Sequence, residues 1–553
     1  MGVLALLGTM GWFWFVSVIA IHPPATTNAE LLQLQREEPS PGFYTIGNNW
    51  MQKNDVGLYE LYVEGAPFER GVIYGKLAQE LVIKQEEYFV AQIQQLIPSE
   101  FYQSFLKYLI GWFNRNLDEA IPEENLLEIY GVSQSAADDF EFIGTKYQRI
   151  LNYHAAHDIG HALQDKGMVV GCTSFGAWGD KTADSSLIIG RNFDFYVGDS
   201  FARDKIVMFV NPDAGHPFMM VTWGGFTGVV SGMNMHGLTV TINAAKSDYP
   251  TGAATPISIV ARQILQYAGT IEEAFAIAKK YETFVAEAIF VGSAHDGETA
   301  IIEKTPTKTE LYRLPAGGNE IVCSNHFQGG AFASDEGNLW QQKESSSTYR
   351  YQRMNELLAQ HQPLTPETAA VILRDTKGLG GTDIGLGNEN AINQLMAHHS
   401  IIFMPEQRLV WVSANPVPYN VYVAYDLNKV FGSYVGLKQP QAIDEPQLRI
   451  AADSFLTNGY GDYLGYKRLR TELKKLVSNK LKTSWSDAQV TEFIALNPHY
   501  FETYELLGDY FAYVGNYQRA ISCYYAALNG NIPLLAQKKN IEDKVNDLED
   551  KTP

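Results

Sequence analysis

The sequence has few cysteines and no excess of basic residues, and both shortages limit the kind of protein it can encode. Cysteine occurs at three widely separated positions in 553 residues, Cys172, Cys323 and Cys523, which is neither a disulfide framework nor a metal-ligand pattern. The formal net charge of −20 at pH 7 leaves no basic stripe for nucleic acid or an anionic membrane surface. Charged residues make up 19% and hydrophobic residues 46%, which is typical of a globular protein.

The apolar run at the N-terminus lacks the basic residues that usually precede a secretory signal. Val3 to Ile21 is apolar almost throughout and is stopped by Pro23 and Pro24. A run of this length can just span a bilayer, but no clean cleavage site follows it. Residues 1–22 are therefore predicted to be either a signal peptide or a membrane anchor. Both alternatives place the body of the protein outside the cytoplasm, secreted, periplasmic or held at a membrane.

Periodicity divides the rest of the chain into four parts. Residues 23–56 are rich in Pro, Thr and Glu and are predicted to be a tether, whereas 57–171 follow helical spacing and predict a mostly helical N-terminal chain. Residues 172–430 alternate short apolar runs with two pairs of helices, which indicates an α+β core of two packed sheets with helices outside each. Residues 431–553 are again helical, and one tetratricopeptide-like (TPR-like) repeat lies near 497–533.

Cys172 is the strongest candidate for a functional residue. It follows Gly171 and opens a strand-like run, and the next run carries Arg191 and Asp194. A thiol beside an Arg and an Asp fits a nucleophile with groups that tune it. On a regular strand these two residues would face opposite sides, so a bulge or turn within 190–193 is expected.

The base for such a thiol has two possible sources. No histidine lies near Cys172 as an obvious base, but folding could bring one to it, with His326 as the leading candidate. Alternatively, cleavage before Cys172 would free its own α-amine, which has a pKa of about 8 and is a usable base after a modest shift. Glycine before the cysteine suits that cleavage, because it lets the backbone distort while the thiol attacks the preceding carbonyl.

His157 and His161 suggest a competing metal site. They are four residues apart and share a face if the segment is helical, but Asp158 stands where zinc proteases of this spacing carry Glu. No third ligand can be identified, so the prediction is that the protein holds no metal, and a metallohydrolase remains an alternative.

Five sequence elements in one order link Cys172 to a known superfamily. They are Gly171-Cys172-Thr173-Ser174, Gly190-Arg191-Asn192-Phe193-Asp194, the Gly237-Leu238 strand that ends in Asn243, Cys323-Ser324-Asn325-His326-Phe327, and Ser347-Thr348-Tyr349-Arg350. In these elements the chain resembles cysteine-type N-terminal-nucleophile (Ntn) hydrolases. It is most similar to the choloylglycine hydrolase, acid ceramidase and penicillin acyltransferase superfamily, in the self-cleaving acyltransferase branch.

The resemblance implies a fold, a reaction and six site residues. The fold would be a four-layer αββα sandwich, and the reaction would be hydrolysis or transfer at a linear amide through an acyl-thioester, with no cofactor. Cleavage between Gly171 and Cys172 would give two chains of one precursor. Cys172 would be nucleophile and amine base, Arg191 would favour the thiolate, and Asp194 would hold the α-ammonium, while Asn243 would bind the oxyanion, Asn325 would orient the nucleophile and Arg350 would complete the polar network.

The substrate and one alternative class of function stay open. The expected substrate is a small-molecule acyl-amide, but no residue identifies the acyl group or the amine, or decides between hydrolysis and transfer. The alternative is a membrane-tethered interaction protein with an inactive site. In that case the C-terminal helices would recruit a protein partner, as they could also do in an enzyme.

Overall fold

The computed structural model describes residues 2–26, 28–96, 99, 107–108, 110–155, 158, 171–196, 198, 200–247, 254–415, 418–481 and 484–550. Within these ranges the protein is a mixed α+β structure, as the sequence predicts. Its strands, in chain order, are β1 Glu37–Ser40, β2 Phe43–Ile46, β3 Asn49–Lys53, β4 Tyr59–Gly65, β5 Thr173–Ala177, β6 Ile188–Asp194, β7 Ile206–Pro212, β8 Phe218–Thr222, β9 Ser231–Asn234, β10 Leu238–Ala244, β11 Glu287–Ser293, β12 Glu298–Lys304, β13 Thr309–Tyr312, β14 Glu320–Cys323, β15 Ala397–Met404, β16 Leu409–Ser413 and β17 Tyr422–Asp426.

These strands form two sheets. The larger has eleven strands in the order β1-β2-β3-β4-β7-β8-β9-β10-β11-β12-β13, and the smaller has six in the order β14-β5-β6-β15-β16-β17. Most neighbours are antiparallel, but β4 and β7 pair in parallel across seven residue pairs. The predicted hairpin around the polar turn after Trp178 is present as β5 and β6, which lie side by side in the smaller sheet.

The helices with described bounds surround these sheets and form the C-terminal region. In chain order they are α1 Gly2–Val18, α2 Pro67–Leu77, α3 Gln79–Leu96, α4 Leu117–Ala120, α5 Glu123–Ser133, α6 Lys146–His154, α7 Ile257–Tyr267, α8 Ile271–Lys280, α9 Glu336–Glu344, α10 Ser347–Gln360, α11 Pro366–Leu373, α12 Leu427–Ser433, α13 Phe455–Asn458, α14 Tyr460–Ser478, α15 Asp487–Leu496, α16 Phe501–Tyr513, α17 Tyr517–Leu528 and α18 Leu535–Glu549.

The two sheets share one apolar core, and helices cover their outer faces. Side chains that alternate along β11 show the arrangement, because Phe290 joins the core between the sheets while Ile289 joins the cluster that includes helices α2, α5 and α7. On the smaller sheet, Ile401 packs into the shared core and Ile402 packs against α10 and α11. Because both faces are covered, the strands read as continuous apolar runs rather than polar–apolar alternation.

Residues 37–53 are part of the larger sheet, so the prediction of a tether over 23–56 is wrong for them. Strands β1 to β3 form its edge, and Phe43 and Trp50 are 1% and 0% exposed. The Trp50 indole donates a hydrogen bond to the Tyr434 carbonyl at 2.8 Å. The Pro and Glu content of this segment concealed strands of only four or five residues. They are stabilised by successive pairing, β1 with β2, β2 with β3 and β3 with β4, which joins them to the larger sheet.

The apolar N-terminal run forms helix α1, which is 17 residues long. Among the residues that the structure describes, no helix is long and apolar enough to cross a membrane.

The C-terminal helices α14 to α18 form a separate apolar cluster that also includes residues of the core. Leu395 and Tyr419 of the core belong to the same cluster as Phe493, Leu507 and Tyr524 of these helices. Helices α16 and α17 lie in the segment expected to hold a TPR-like repeat; that assignment stays a prediction.

Candidate active site

The Gly171-Cys172 peptide lies at the start of β5, against the end of β6. Strand pairing sets Ser174 opposite Arg191, and the Gly171 N–H donates to the Asp194 carbonyl at 3.0 Å. Cys172 is 0% exposed. An external substrate therefore cannot reach its sulfur in this uncut state.

The thiol of Cys172 contacts two groups on β6. Arg191 Nη2 lies 3.5 Å from Sγ, and Sγ lies 3.9 Å from the Asp194 carbonyl oxygen. Burial raises the pKa of the Cys172 thiol to about 11, against the attraction of the Arg191 guanidinium. The uncut chain consequently carries a protonated thiol at neutral pH.

The Arg191 guanidinium is held by the larger sheet. Its Nη1 donates to the Val230 carbonyl at 3.0 Å and to the Ser231 hydroxyl at 2.6 Å, and Nη2 donates to the Ile242 carbonyl. The guanidinium carbon also lies 4.4 Å from the centre of the Phe193 ring. Apart from the thiol these partners are neutral, so the charge of Arg191 remains available to stabilise a thiolate.

Arg191 and Asp194 face opposite sides of β6, and the expected bulge or turn within 190–193 is absent. Strand β6 pairs with β5 in one continuous register, and the register shift lies instead on β15, between Ala397 and His399. Asn192, which shares a face with Asp194, donates to the Leu373 carbonyl of α11 outside the smaller sheet. Arg191 instead points to the larger sheet, so the thiol and the carboxyl group meet different faces of the strand.

Arg350 and Asn325 hold the backbone of the nucleophile. Arg350, on α10, donates from Nη1 to the Cys172 carbonyl at 2.7 Å and to the Thr173 hydroxyl at 2.6 Å. Its Nη2 donates to Asn325 Oδ1 at 2.6 Å, and Asn325 Nδ2 donates to the Ala244 carbonyl at 2.8 Å. These bonds fix the strand that carries Cys172 without touching its sulfur.

Asp194 is the one site residue whose charged group has no hydrogen bond in the described part of the chain. Both carboxyl oxygens are buried and lack a partner. Burial raises the pKa of this carboxyl to about 7, with Arg350 and Arg191 opposing the rise. The Asp194 carboxyl is thus a buried acceptor that a hydrogen-bond donor or a cation would stabilise.

Asn243 contacts β5, the strand that follows the nucleophile, through the side chain of Ser174. Its Oδ1 accepts from the Ser174 hydroxyl at 3.0 Å, and its Nδ2 donates to the carbonyls of Cys323 and Ser324 at 3.1 and 3.4 Å. The structure therefore brings all six predicted residues into one cluster. In the uncut chain, however, the Asn243 amide is engaged by backbone rather than free to bind an oxyanion.

His326 does not reach the thiol. Its Nδ1 bonds to the hydroxyls of Ser347 at 2.8 Å and Ser324 at 3.1 Å, and burial lowers its pKa to about 4. Within the described ranges no histidine nitrogen forms a hydrogen bond with Cys172. Among the histidines that the structure describes, none thus forms a Cys–His pair with Cys172 in the uncut arrangement.

The competing prediction of a metal site depends on two histidines. His157 and His161 lie outside the described residues. Across the part of the chain that is described, no group of three or more His, Cys, Asp or Glu side chains could hold a metal ion.

Two sets of residues at this site were not predicted. Ser231 bridges Arg191 to His399, whose Nε2 lies 2.8 Å from the Ser231 hydroxyl, and His398 and His399 join through their Nδ1 atoms at 2.9 Å. Gln394 Nε2 donates to the Gly171 carbonyl at 2.8 Å. The adjacent histidines before an apolar run were a usable signal for the first set, whereas nothing in the sequence marks Gln394.

The middle of the chain is similar to a known protein family. Residues 181–411 match the family model described as acyl-coenzyme A:6-aminopenicillanic acid acyl-transferase. The predicted resemblance to the Ntn hydrolases is confirmed. The matched segment holds Arg191, Asp194, Asn243, Asn325 and Arg350, but it covers less than half of the chain and begins after Cys172.

Two curated proteins share low sequence identity with about half of the chain. An uncharacterized protein of Archaeoglobus fulgidus is 28% identical over 279 residues, which is 47% of this chain and 46% of that protein. Protein dcd1A of Dictyostelium discoideum is 22% identical over 247 residues, 40% of this chain and 52% of that protein. The chain thus spans about half the length of the curated relatives it matches.

Two solved structures align with part of the chain at low TM-score. An N-acylethanolamine-hydrolyzing acid amidase ortholog of Caenorhabditis elegans has a TM-score of 0.31 and 18% identity, covering 42% of this chain and 93% of that one. A variant of the conjugated bile acid hydrolase of Clostridium perfringens has a TM-score of 0.31 and 12% identity, covering 47% and 93%. At this TM-score neither likeness establishes a shared fold.

Proposed function

We propose that this protein is a self-processed cysteine amidase or acyltransferase. Cleavage between Gly171 and Cys172 would expose a new N-terminal cysteine, whose thiol attacks the carbonyl of a linear acyl-amide and forms an acyl-thioester. Water or a second amine would then release the acyl group. The family match over 181–411 and the clustering of the six predicted side chains support this reading, as does a helix–sheet–sheet–helix packing consistent with an αββα Ntn sandwich.

The observation that carries the proposal is the unpartnered carboxyl group of Asp194. Both of its oxygens are buried and have no hydrogen-bond partner within the described ranges. They lie near a peptide whose Gly171 N–H bonds to the Asp194 backbone carbonyl. A buried carboxyl left in this state costs free energy. Cleavage would create an α-ammonium on Cys172 beside this group, and the ion pair would satisfy both.

Cleavage would also change the chemistry of the thiol. In the uncut chain burial keeps the pKa of Cys172 at about 11. A free α-amine next to the thiol would supply a base with a pKa near 8, and Arg191 would stabilise the resulting thiolate. The uncut chain is accordingly an inactive precursor, and Arg350 would hold the strand in place before and after cleavage.

The N-terminal chain is expected to remain bound after cleavage. It contributes β1 to β4 to the larger sheet, and its Arg70 and Glu128 form a buried ion cluster with Arg262 of α7. Glu128 Oε2 lies 2.8 Å from Arg70 and 3.0 Å from Arg262. The mature protein would therefore consist of two chains of one precursor, acting on a small acyl-amide without a cofactor.

Mass analysis of purified protein tests the proposal. The wild type should yield a fragment that begins at Cys172, Cys172→Ala should stay intact, and Cys523→Ala should cleave like the wild type, because Cys523 lies in the C-terminal helices. Screening an N-acyl amide library should then find turnover in wild type and Cys523→Ala only. Full turnover by an intact wild-type chain would overturn the amine-base mechanism.

A further inference from the structure

Gln394 occupies the position that an oxyanion donor for the first cleavage would need. Its side-chain N–H points at the carbonyl oxygen of Gly171, the carbonyl that self-cleavage attacks, at a distance of 2.8 Å. Gln394 itself is 2% exposed. The other amides at the site do not reach this oxygen, because Asn243 and Asn325 donate to the carbonyls of Cys323, Ser324 and Ala244.

The glycine before the cysteine is required by this contact. A Cβ added at Gly171 would lie 2.4 Å from Gln394 Nε2 and 2.7 Å from its Oε1. Those separations are far below van der Waals contact, so any larger residue would push the amide away from the carbonyl. The absence of a side chain at Gly171 thus makes room for the buried amide of Gln394 beside the Gly171 carbonyl.

The backbone beside Gln394 is strained, as functional loops often are. Leu395 has a φ of 56°, a left-handed conformation that a branched residue rarely adopts. Two contacts maintain it: the Leu395 N–H bonds to Asn393 Oδ1 at 3.1 Å, and the Leu395 side chain packs in the cluster of the C-terminal helices. The C-terminal region consequently holds the loop that aims the amide.

We propose that Gln394 is a catalytic residue of self-cleavage, in which its amide N–H stabilises the oxyanion formed on the Gly171 carbonyl. The proposal rests on the proposed function. The Cys172 sulfur bonds to the Gly171 carbonyl carbon, the C–N bond breaks, and the thiol proton passes overall to the departing amine. Water then hydrolyses the thioester, giving a Gly171 carboxylate and a free Cys172 thiol.

This role ends when the chain is cut. The carbonyl that Gln394 binds becomes the terminal carboxylate of the N-terminal chain, and turnover of an external amide needs an oxyanion donor near the thiol of the new N-terminus. Gln394 should therefore govern maturation rather than turnover. Loss of a single oxyanion donor slows acyl transfer by about 100- to 1,000-fold, so this is the expected effect of Gln394→Ala on the cleavage rate.

The test follows cleavage of the full-length chain during cell-free synthesis, by gel electrophoresis and mass analysis of the Cys172 fragment. Asn390→Ala is the matched control, since Asn390 is a buried amide of the same loop that bonds to Asn531 of the C-terminal region at 2.6 Å. Gln394→Ala should slow cleavage about 100- to 1,000-fold, and Asn390→Ala should not.

A second pair of variants isolates the contact. Gly171→Ala should slow cleavage in the wild-type background, because the new methyl group collides with Gln394. In the Gln394→Ala background the same substitution should slow cleavage little further. Equal cleavage rates in wild type and Gln394→Ala would overturn the proposal. So would equal slowing by Gln394→Ala and Asn390→Ala, which would indicate loop destabilisation, whereas a wild-type chain that never cleaves would overturn the proposed function together with this role.

Discussion

Asp194→Asn should stabilise the uncut chain, although most substitutions in an enzyme core destabilise it. The reason is the buried carboxyl group without a hydrogen bond, whose pKa burial raises from 3.8 to about 7. Because a pKa change of one is worth about 1.36 kcal/mol, the ionised group lowers the free energy of unfolding by about 4 kcal/mol. Replacement by a neutral amide of the same shape removes that penalty.

The effect has a defined pH window. The folded chain holds the Asp194 proton up to about pH 7, whereas the unfolded chain releases it near its ordinary pKa of 3.8. Between these values the folded state binds more protons, so its stability falls as pH rises, and the loss is complete above pH 7. The advantage of Asn should be near zero at pH 4 and should reach about 4 kcal/mol at pH 8.

The measurement needs a chain that cannot cleave. Urea denaturation of Cys172→Ala and of Cys172→Ala with Asp194→Asn, followed by tryptophan fluorescence, gives the difference at each pH. The exposed Asp543→Asn in the same background controls for the loss of one negative charge. An Asn variant that is less stable than its parent at pH 8, or a difference that does not change with pH, would refute the reasoning about Asp194.

Two further substitutions test other parts of the site. Ser231→Ala removes the hydroxyl that accepts a hydrogen bond from Arg191 Nη1 at 2.6 Å. In the processed enzyme, iodoacetamide should therefore alkylate Cys172 more slowly at neutral pH, and the pH profile of alkylation should move to higher pH. A pH profile identical to that of the wild type would contradict this. Glu128→Gln removes the buried carboxylate that Arg70 and Arg262 share. Arg70 then keeps only the half-exposed Asp213 at 3.5 Å, and breaking such a buried pair costs about 3–5 kcal/mol. The two chains of the cleaved variant should therefore separate at lower urea in size-exclusion chromatography, and chains of the wild type that separate without urea would contradict the proposed two-chain enzyme.

The strands near the nucleophile were predictable because their signals are local. The hairpin of β5 and β6 has two apolar runs around a polar turn, and both strands are buried throughout. The short edge strands β1 to β3 were not predictable in the same way. Their stability depends on the attachment of β3 to β4 and on the hydrogen bond from the buried Trp50 indole to the Tyr434 carbonyl, 384 residues away.

The side chains at the site also fall into those with a local sequence signal and those that only folding brings together. Arg191 and Asp194 could be found because they stand in a recognisable motif on the strand next to Cys172. Gln394 contacts Gly171 across 223 residues, and His399 contacts Ser231 across 168. Contacts of this kind are created by the packing of a loop or a second sheet, and a lone amide or hydroxyl carries no periodicity or motif that would reveal them.

Strand geometry also gives a physical reason why the proposed enzyme would need a chain end at this site. Arg191 and Asp194 face opposite sides of β6, so a residue within a regular strand could present its side chain to only one of them. Cys172 lies where β5 begins, with its sulfur beside Arg191 and its peptide nitrogen near the end of β6 that carries Asp194. While the peptide is intact that nitrogen is an uncharged amide and cannot act as a base. The proposed cleavage would turn this nitrogen into an amine. The new N-terminus could then contact Asp194 while its thiol contacts Arg191, which a side chain within a regular strand cannot do.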